Sequence, residues 1–114
     1  DVFDSHNTVP ACFTATAFFR SVRRALSPNG IMVMNVMTRN NRDKRAEKIA
    51  RNAKAAGLRM RLFDWPDETD RNTLIVGGGP AKFTIPSGQA PADIAEEMAG
   101  MVCYTPKPTK KRAL

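Results

Sequence analysis

The residues best suited to chemistry are cations. Between Arg39 and Arg61 nine basic residues stand against two acidic ones, Asp43 and Glu47, so this short segment carries the whole net charge of +7. The rest of the chain is balanced. Positive charge concentrated in this way attracts an anionic partner, such as nucleic acid, acidic lipid or an acidic protein face. Six of these cations, Arg42, Lys44, Arg45, Lys48, Arg51 and Lys54, fall in or just before one helical segment, and Lys110, Lys111 and Arg112 close the chain with a second basic cluster. RNA or DNA phosphate is the simplest ligand for such a face, because phosphate contacts need Lys and Arg but no reading of bases. No base-reading motif is present.

Other chemistries find little support. His6 is the single histidine, with no Cys/His cluster around it, which argues against a zinc enzyme. Cys12 and Cys103 do not make a disulfide framework, so a reducing compartment, mitochondrion or cytoplasm, is expected. Gly77-Gly78-Gly79 leads into Pro80 rather than into a helix, so it lacks the setting of a phosphate-cradling loop. No run of about 18 apolar residues marks a membrane span. The chain starts at Asp1 without an initiator Met, in a segment that reads as the end of a strand. A part carried upstream, or by another chain, is therefore expected.

The elements that must position these residues are legible in outline. Thr14 is placed to cap a helix in which Ala15, Phe18, Phe19, Val22 and Leu26 recur at helical spacing. Ser27-Pro28-Asn29-Gly30 ends it in a turn. The apolar run Ile31 to Val36 reads as a strand buried on both faces, as in a parallel sheet. A second helix spans about Asp43 to Ala56, with a narrow stripe of Ala46, Ile49, Ala50 and Ala53, and Gly57 stops it. Leu58 to Phe63 alternates like a strand with one wet face. After a loop that contains Trp65, a half-buried anchor or else a partner contact, Asn72 to Val76 forms a further strand, antiparallel to the one before it. Residues 1–79 form one partial domain, 80–90 a linker, and 91–114 a helix and basic tail. Pro91 opens that helix, with Ile94, Met98, Met101 and Val102 on one face. Strand and helix in alternation imply an α/β fold: a parallel sheet with helices packed on it and the closing hairpin adding an antiparallel strand at its edge.

The run Phe18-Phe19, then Arg23-Arg24-Ala25-Leu26-Ser27-Pro28-Asn29-Gly30-Ile31-Met32-Val33-Met34-Asn35, resembles spermidine synthases and their methyltransferase-like relatives. In that family an aromatic pair opens a helix that ends in an R-A-L-x-P-x-G turn before the fifth strand. Pro10-Ala11 and Asp1-Val2-Phe3-Asp4 fall where the family has Pro-Ala and D-x-x-D. The resemblance covers about residues 1–79. It implies the C-terminal half of a Rossmann-like methyltransferase/spermidine synthase sheet with a terminal antiparallel hairpin. It makes Asp1 the acceptor of the proton of an attacking amine, Asp4 an amine anchor and Asn35 a substrate contact, where the family often has Gln. Ser5 departs from the family's Pro, and Val2-Phe3 from its small hydroxylated residues. The chain has no glycine-rich loop after a first strand and no acidic residue on a second strand, so no cofactor site lies in this chain alone. S-adenosylmethionine or its decarboxylated form would bind only with an N-terminal half.

Two functions follow as expectations. One is a non-catalytic, transferase-like subunit or fragment of a larger assembly, RNA-associated, such as an organellar ribosome. The other is the C-terminal part of an aminopropyl- or methyltransferase. In either case a half sheet exposes a long pairing edge. Another protein segment or subunit should complete the sheet, and the chain should not be a free monomer.

Overall fold

The computed structural model describes residues 10–79 and 91–107. A short 3₁₀ turn, Ala11–Phe13, leads into α1 (Thr16–Ala25), β1 (Ile31–Thr38), α2 (Arg45–Ala55), β2 (Met60–Asp64), β3 (Arg71–Gly78), α3 (Ala92–Ala99) and β4 (Val102–Tyr104). The four strands make one sheet in the order β1-β3-β2-β4, so the architecture is mixed α/β.

Every ladder among the described residues is antiparallel. This corrects the expectation of a parallel sheet with an antiparallel strand at its edge. β2 and β3 do form the expected antiparallel hairpin. β3, however, inserts between β1 and β2 and pairs with both, matching Val33 with Val76 on one side and Leu62 with Ile75 on the other. β1 and β2 therefore point the same way, joined through α2, but never touch as neighbours. Hydropathy along a strand carries no record of which partner lies beside it, and this strand order was hidden for that reason.

α1 and α2 cover one face of the sheet. Phe19, fully buried, packs with Val36, Ile49, Leu62 and Ile75, while Phe18, Val22, Leu26, Met32 and Met34 flank that core. Phe13, Phe18 and Phe19 stack edge to face, with ring centroids 5.4 and 5.3 Å apart. Thr14 does not cap α1: its hydroxyl donates back to the Ala11 carbonyl and closes the 3₁₀ turn, and Ala15 occupies the cap. The Thr14 carbonyl instead accepts from Asn52 Nδ2 at 3.0 Å, which ties α1 to α2. Ala46, Ala50 and Ala53, all buried, let α2 lie close to the sheet. α2 ends in a Schellman motif, with Leu58 N bonded to Ala53 O and Gly57 N to Lys54 O. Gly57 there adopts φ +96°, which suits a residue without Cβ.

Burial of the strands differs from the alternation. β2, expected to have one wet face, is buried along its whole length, Arg61 included. It lies inside the sheet between β3 and β4. β1, expected to be buried on both faces, turns Met32, Met34, Val36 and Thr38 inward, and leaves Ile31, Val33 and Met37 exposed at 43, 62 and 42 %. Among the described residues it has a strand neighbour on one side only. α3 is shorter than its apolar pattern, because the chain leaves the helix at Gly100 and Val102–Tyr104 pairs with β2 as the fourth strand.

Candidate functional site

The sheet's strands end in a buried polar cluster that sequence reasoning did not find. Arg71 opens β3 and Asp64 closes β2, so the hairpin brings them together across the loop 65–70. Arg71 Nε donates to Asp64 Oδ1 at 2.7 Å and Nη2 to Oδ2 at 3.0 Å, a bidentate pair whose side chains are 6 and 9 % exposed. Thr73 donates its one hydroxyl proton to Asp64 Oδ1, so the Thr38 hydroxyl, 2.7 Å from Thr73, donates to it in turn. Arg71 Nη1 reaches Asn41 Oδ1 and the Glu68 carbonyl. Asn41 Nδ2 donates to Asp67 Oδ1 at 2.6 Å, and the Asp67 amide donates back to Asn41. Burial pushes the Asp64 carboxyl up, but Arg71, Thr73 and the Trp65 amide outweigh it and hold it below the ordinary range. Burial, with the Asp64 charge nearby, raises the Tyr104 phenol. The cluster's donors and acceptors are turned toward one another, which makes it a brace for the strand ends. An acid and a base facing each other across a hairpin was the one signal available in the sequence.

Above this brace lies a cleft of about 710 Å3 between the sheet and α3. Asn35 lines it. Asn35 is exposed and sits opposite Leu74, with β1 continuing three residues beyond it to Thr38, so it is mid-strand rather than at the strand's end. Glu68, Asp70, Asp93, Glu96 and Glu97 also line the cleft, and the only cation among its described lining residues, Arg71, is held by Asp64. Its chemistry therefore favours cationic groups over anionic ones. Trp65, half-buried, donates its indole N–H to the Glu97 carbonyl at 3.0 Å and anchors α3 as a loop residue should. No group of His, Cys, Asp and Glu that could hold a metal occurs among the described residues. Cys12 and Cys103 are both exposed free thiols.

The basic face is the other candidate site. Lys44, Lys48 and Lys54 are exposed, and so is Arg42, whose backbone N–H is bonded to Asn40 Oδ1. Arg45 differs. It holds Asp43 through an ion pair at 2.8 Å, and that hydrogen bond drives the Asp43 carboxyl far below the usual range. Asp43 Oδ1 also accepts the Arg45 backbone N–H and serves the start of α2 where Lys44 offers no side-chain cap. Arg51 lies 3.8 Å from Glu47, a loose i,i+4 pair. α1 adds Arg20, Arg23 and Arg24, all exposed, on the same helical layer. The sequence-predicted residues Asp1, Asp4, Lys110, Lys111 and Arg112, like the linker 80–90, lie outside the described residues. No helix among those residues is long and apolar enough to cross a membrane. Comparison of the chain with family models, with curated proteins and with solved structures finds no match in any of the three.

Proposed function

We propose that the chain is a non-catalytic, transferase-like building block of a larger assembly, RNA-associated in the manner of an organellar ribosome, whose sheet is completed by another protein segment or subunit. The observation that carries this reading is β1. Among the described residues it is an eight-residue edge strand without a single charge, with Ile31, Val33 and Met37 exposed on a face that neither α1 nor α2 covers. Proteins normally blunt such an edge with charge, Pro, a bulge or a very short strand. At the opposite edge β4 has only three residues, which is that kind of device. A partner strand added along β1 would satisfy its free backbone groups and cover its apolar face. The same-way run of β1 and β2, joined through α2, agrees with a Rossmann-like half sheet. The uncompensated cations of the helical layer suit an RNA surface. Light scattering on the purified chain tests this reading. It should form oligomers or aggregates, or lack a cooperative unfolding transition, and a cooperatively folded monomer would contradict it.

A second reading is favoured by the cleft. Several carboxylates gather beside the carboxyl end of β2, where open α/β sheets place their ligands, and mid-strand Asn35 lines the same cleft. If the chain is the C-terminal part of an aminopropyl- or methyltransferase, Asp1 would deprotonate the amine, Asp4 would anchor it, and S-adenosylmethionine or its decarboxylated form would come with an N-terminal half. In that protein Asp1→Asn should strongly reduce turnover, and unchanged turnover would remove Asp1 from the mechanism.

A further inference from the structure

We infer that the groove where α1 meets the C-terminal end of α2 is a docking site for the phosphate backbone of a nucleic acid, built on Arg20, Arg23, Arg24 and Arg59. This deepens the RNA-associated part of the reading above and rests on it. Spacing of three and four residues sets Arg20, Arg23 and Arg24 on one face of the last turns of α1, a helix with no acidic residue. Arg23 is the pivot. A Cβ built on Gly57 would lie 2.7 Å from its Nη1, so the guanidinium lies directly over the glycine that ends α2. The carbonyl end of a helix favours a cation there.

Two adjoining concavities share Arg23 and Gly57. One, about 450 Å3, holds Arg20 and Arg24; the other, about 480 Å3, holds Arg59, Ser27 and Asn29. Neither has a carboxylate among its lining residues. The ion pairs among the described residues involve Arg45, Arg51 and Arg71, and none of these four arginines. Like charges one turn apart are mildly destabilising without a counter-ion, and planar guanidinium groups match phosphate oxygens in a bidentate fork.

The surroundings select the ligand. A membrane-docking surface needs large apolar side chains beside its cations. The exposed neighbours here, Ser21, Ala25, Ser27, Pro28, Asn29 and Ala55, are small or polar, while Ile31, Val33 and Met37 belong to the opposite sheet face. A protein interface would centre on an apolar or aromatic patch; the groove's larger apolar lining is Leu26, Pro28 and Leu58, of which only Pro28 is exposed, and no aromatic residue lines it. Phe13, Phe18 and Phe19 stack on one another, and no aromatic residue is among the lining of the two concavities. What is left is repeated anions on a polar chain, contacted without regard to sequence.

The test is fluorescence anisotropy of the full 114-residue chain with a labelled oligoribonucleotide of arbitrary sequence, across about 50 to 200 mM salt. Polyglutamate and phosphatidylserine vesicles are run as separate ligands. R20A/R23A/R24A is compared with K44A/K48A/K54A, both checked by circular dichroism. The expected result is salt-sensitive RNA binding that the arginine variant weakens at least about tenfold, with the log–log salt slope falling by about 2 to 3 units. Binding unchanged in the arginine variant but lost in the lysine variant would overturn the groove and leave the RNA reading standing. No RNA binding at low salt would overturn both. Tighter binding to polyglutamate or to vesicles than to RNA would overturn the choice of ligand.

Discussion

Replacing Asp64 by Asn should be among the most damaging isosteric changes available in this chain. The substitution keeps the side chain's shape and removes its charge. Arg71 loses the charge assistance of both hydrogen bonds, at 2.7 and 3.0 Å, and one of them outright where an NH2 replaces an oxygen, and it is left as a buried cation whose other hydrogen-bond partners, Asn41 and the Glu68 carbonyl, are neutral. Hydrogen bonds to charged groups contribute roughly 1.5–3 kcal/mol each, and breaking one side of a buried ion pair costs about 3–5 kcal/mol. The two routes agree on a loss of about 3–5 kcal/mol. That is a large part of a typical total of about 5–15 kcal/mol. Urea unfolding followed through Trp65, the only tryptophan, reads the site directly, because its amide is bonded to Asp64 Oδ1. At fixed protein concentration the midpoint should drop by the equivalent of that loss. The paired change D64L/R71M should restore much of it, since a matched apolar pair leaves no orphan charge. A loss below about 1 kcal/mol for Asp64→Asn, or no recovery in the pair, would refute the brace.

Acid should act through the same groups. Asp64 and Asp43 both titrate below their ordinary range. A carboxyl with a depressed folded pKa stabilises the fold above its unfolded pKa of about 3.9, and that contribution is lost as pH falls through the folded value. Stability should therefore fall on acidification below about pH 4, and Asp64→Asn should flatten that dependence in a urea-midpoint series. Gly57→Ala should cost about 1–2 kcal/mol, since an L-residue must then hold φ +96°, and should displace the Arg23 guanidinium. Ala50→Leu should cost about 1–3 kcal/mol by overpacking α2 against the sheet, as Ala50 has no exposed surface; thermal melts check both variants. Val33→Lys, on the 62 %-exposed side of β1, should leave helix content by circular dichroism unchanged yet reduce association seen by light scattering.

The elements came through the sequence better than their arrangement. Phe18, Phe19, Val22 and Leu26 announced α1 because only a helix puts that spacing on one face, and Gly57 announced the end of α2 because its conformation is costly for other residues. Arg61 misled, since alternation is only a proxy for burial and β2 sits inside the sheet. Ile31 and Val33 misled in the opposite sense: an apolar run implies a partner surface, but the described helices supply one on a single side. β4 was read as helix because Met101 and Val102 continued the apolar stripe of α3, while pairing with β2 is a tertiary choice. For the site, the basic face of α2 was visible as a charge count. The groove was not, because Arg20, Arg23 and Arg24 meet Arg59 only once the Schellman turn at Gly57 brings the two helices' ends together. The burial of the Asp64–Arg71 pair was equally hidden, since an acid and a base across a hairpin do not show in sequence whether the sheet encloses them.

The central claim is that β1 is an interior strand of a larger sheet. Light scattering combined with urea unfolding on the purified 114-residue chain measures this most directly. The account predicts association through β1, reduced by Val33→Lys, or a chain without a cooperative transition. A monomer that unfolds in one cooperative step would contradict it.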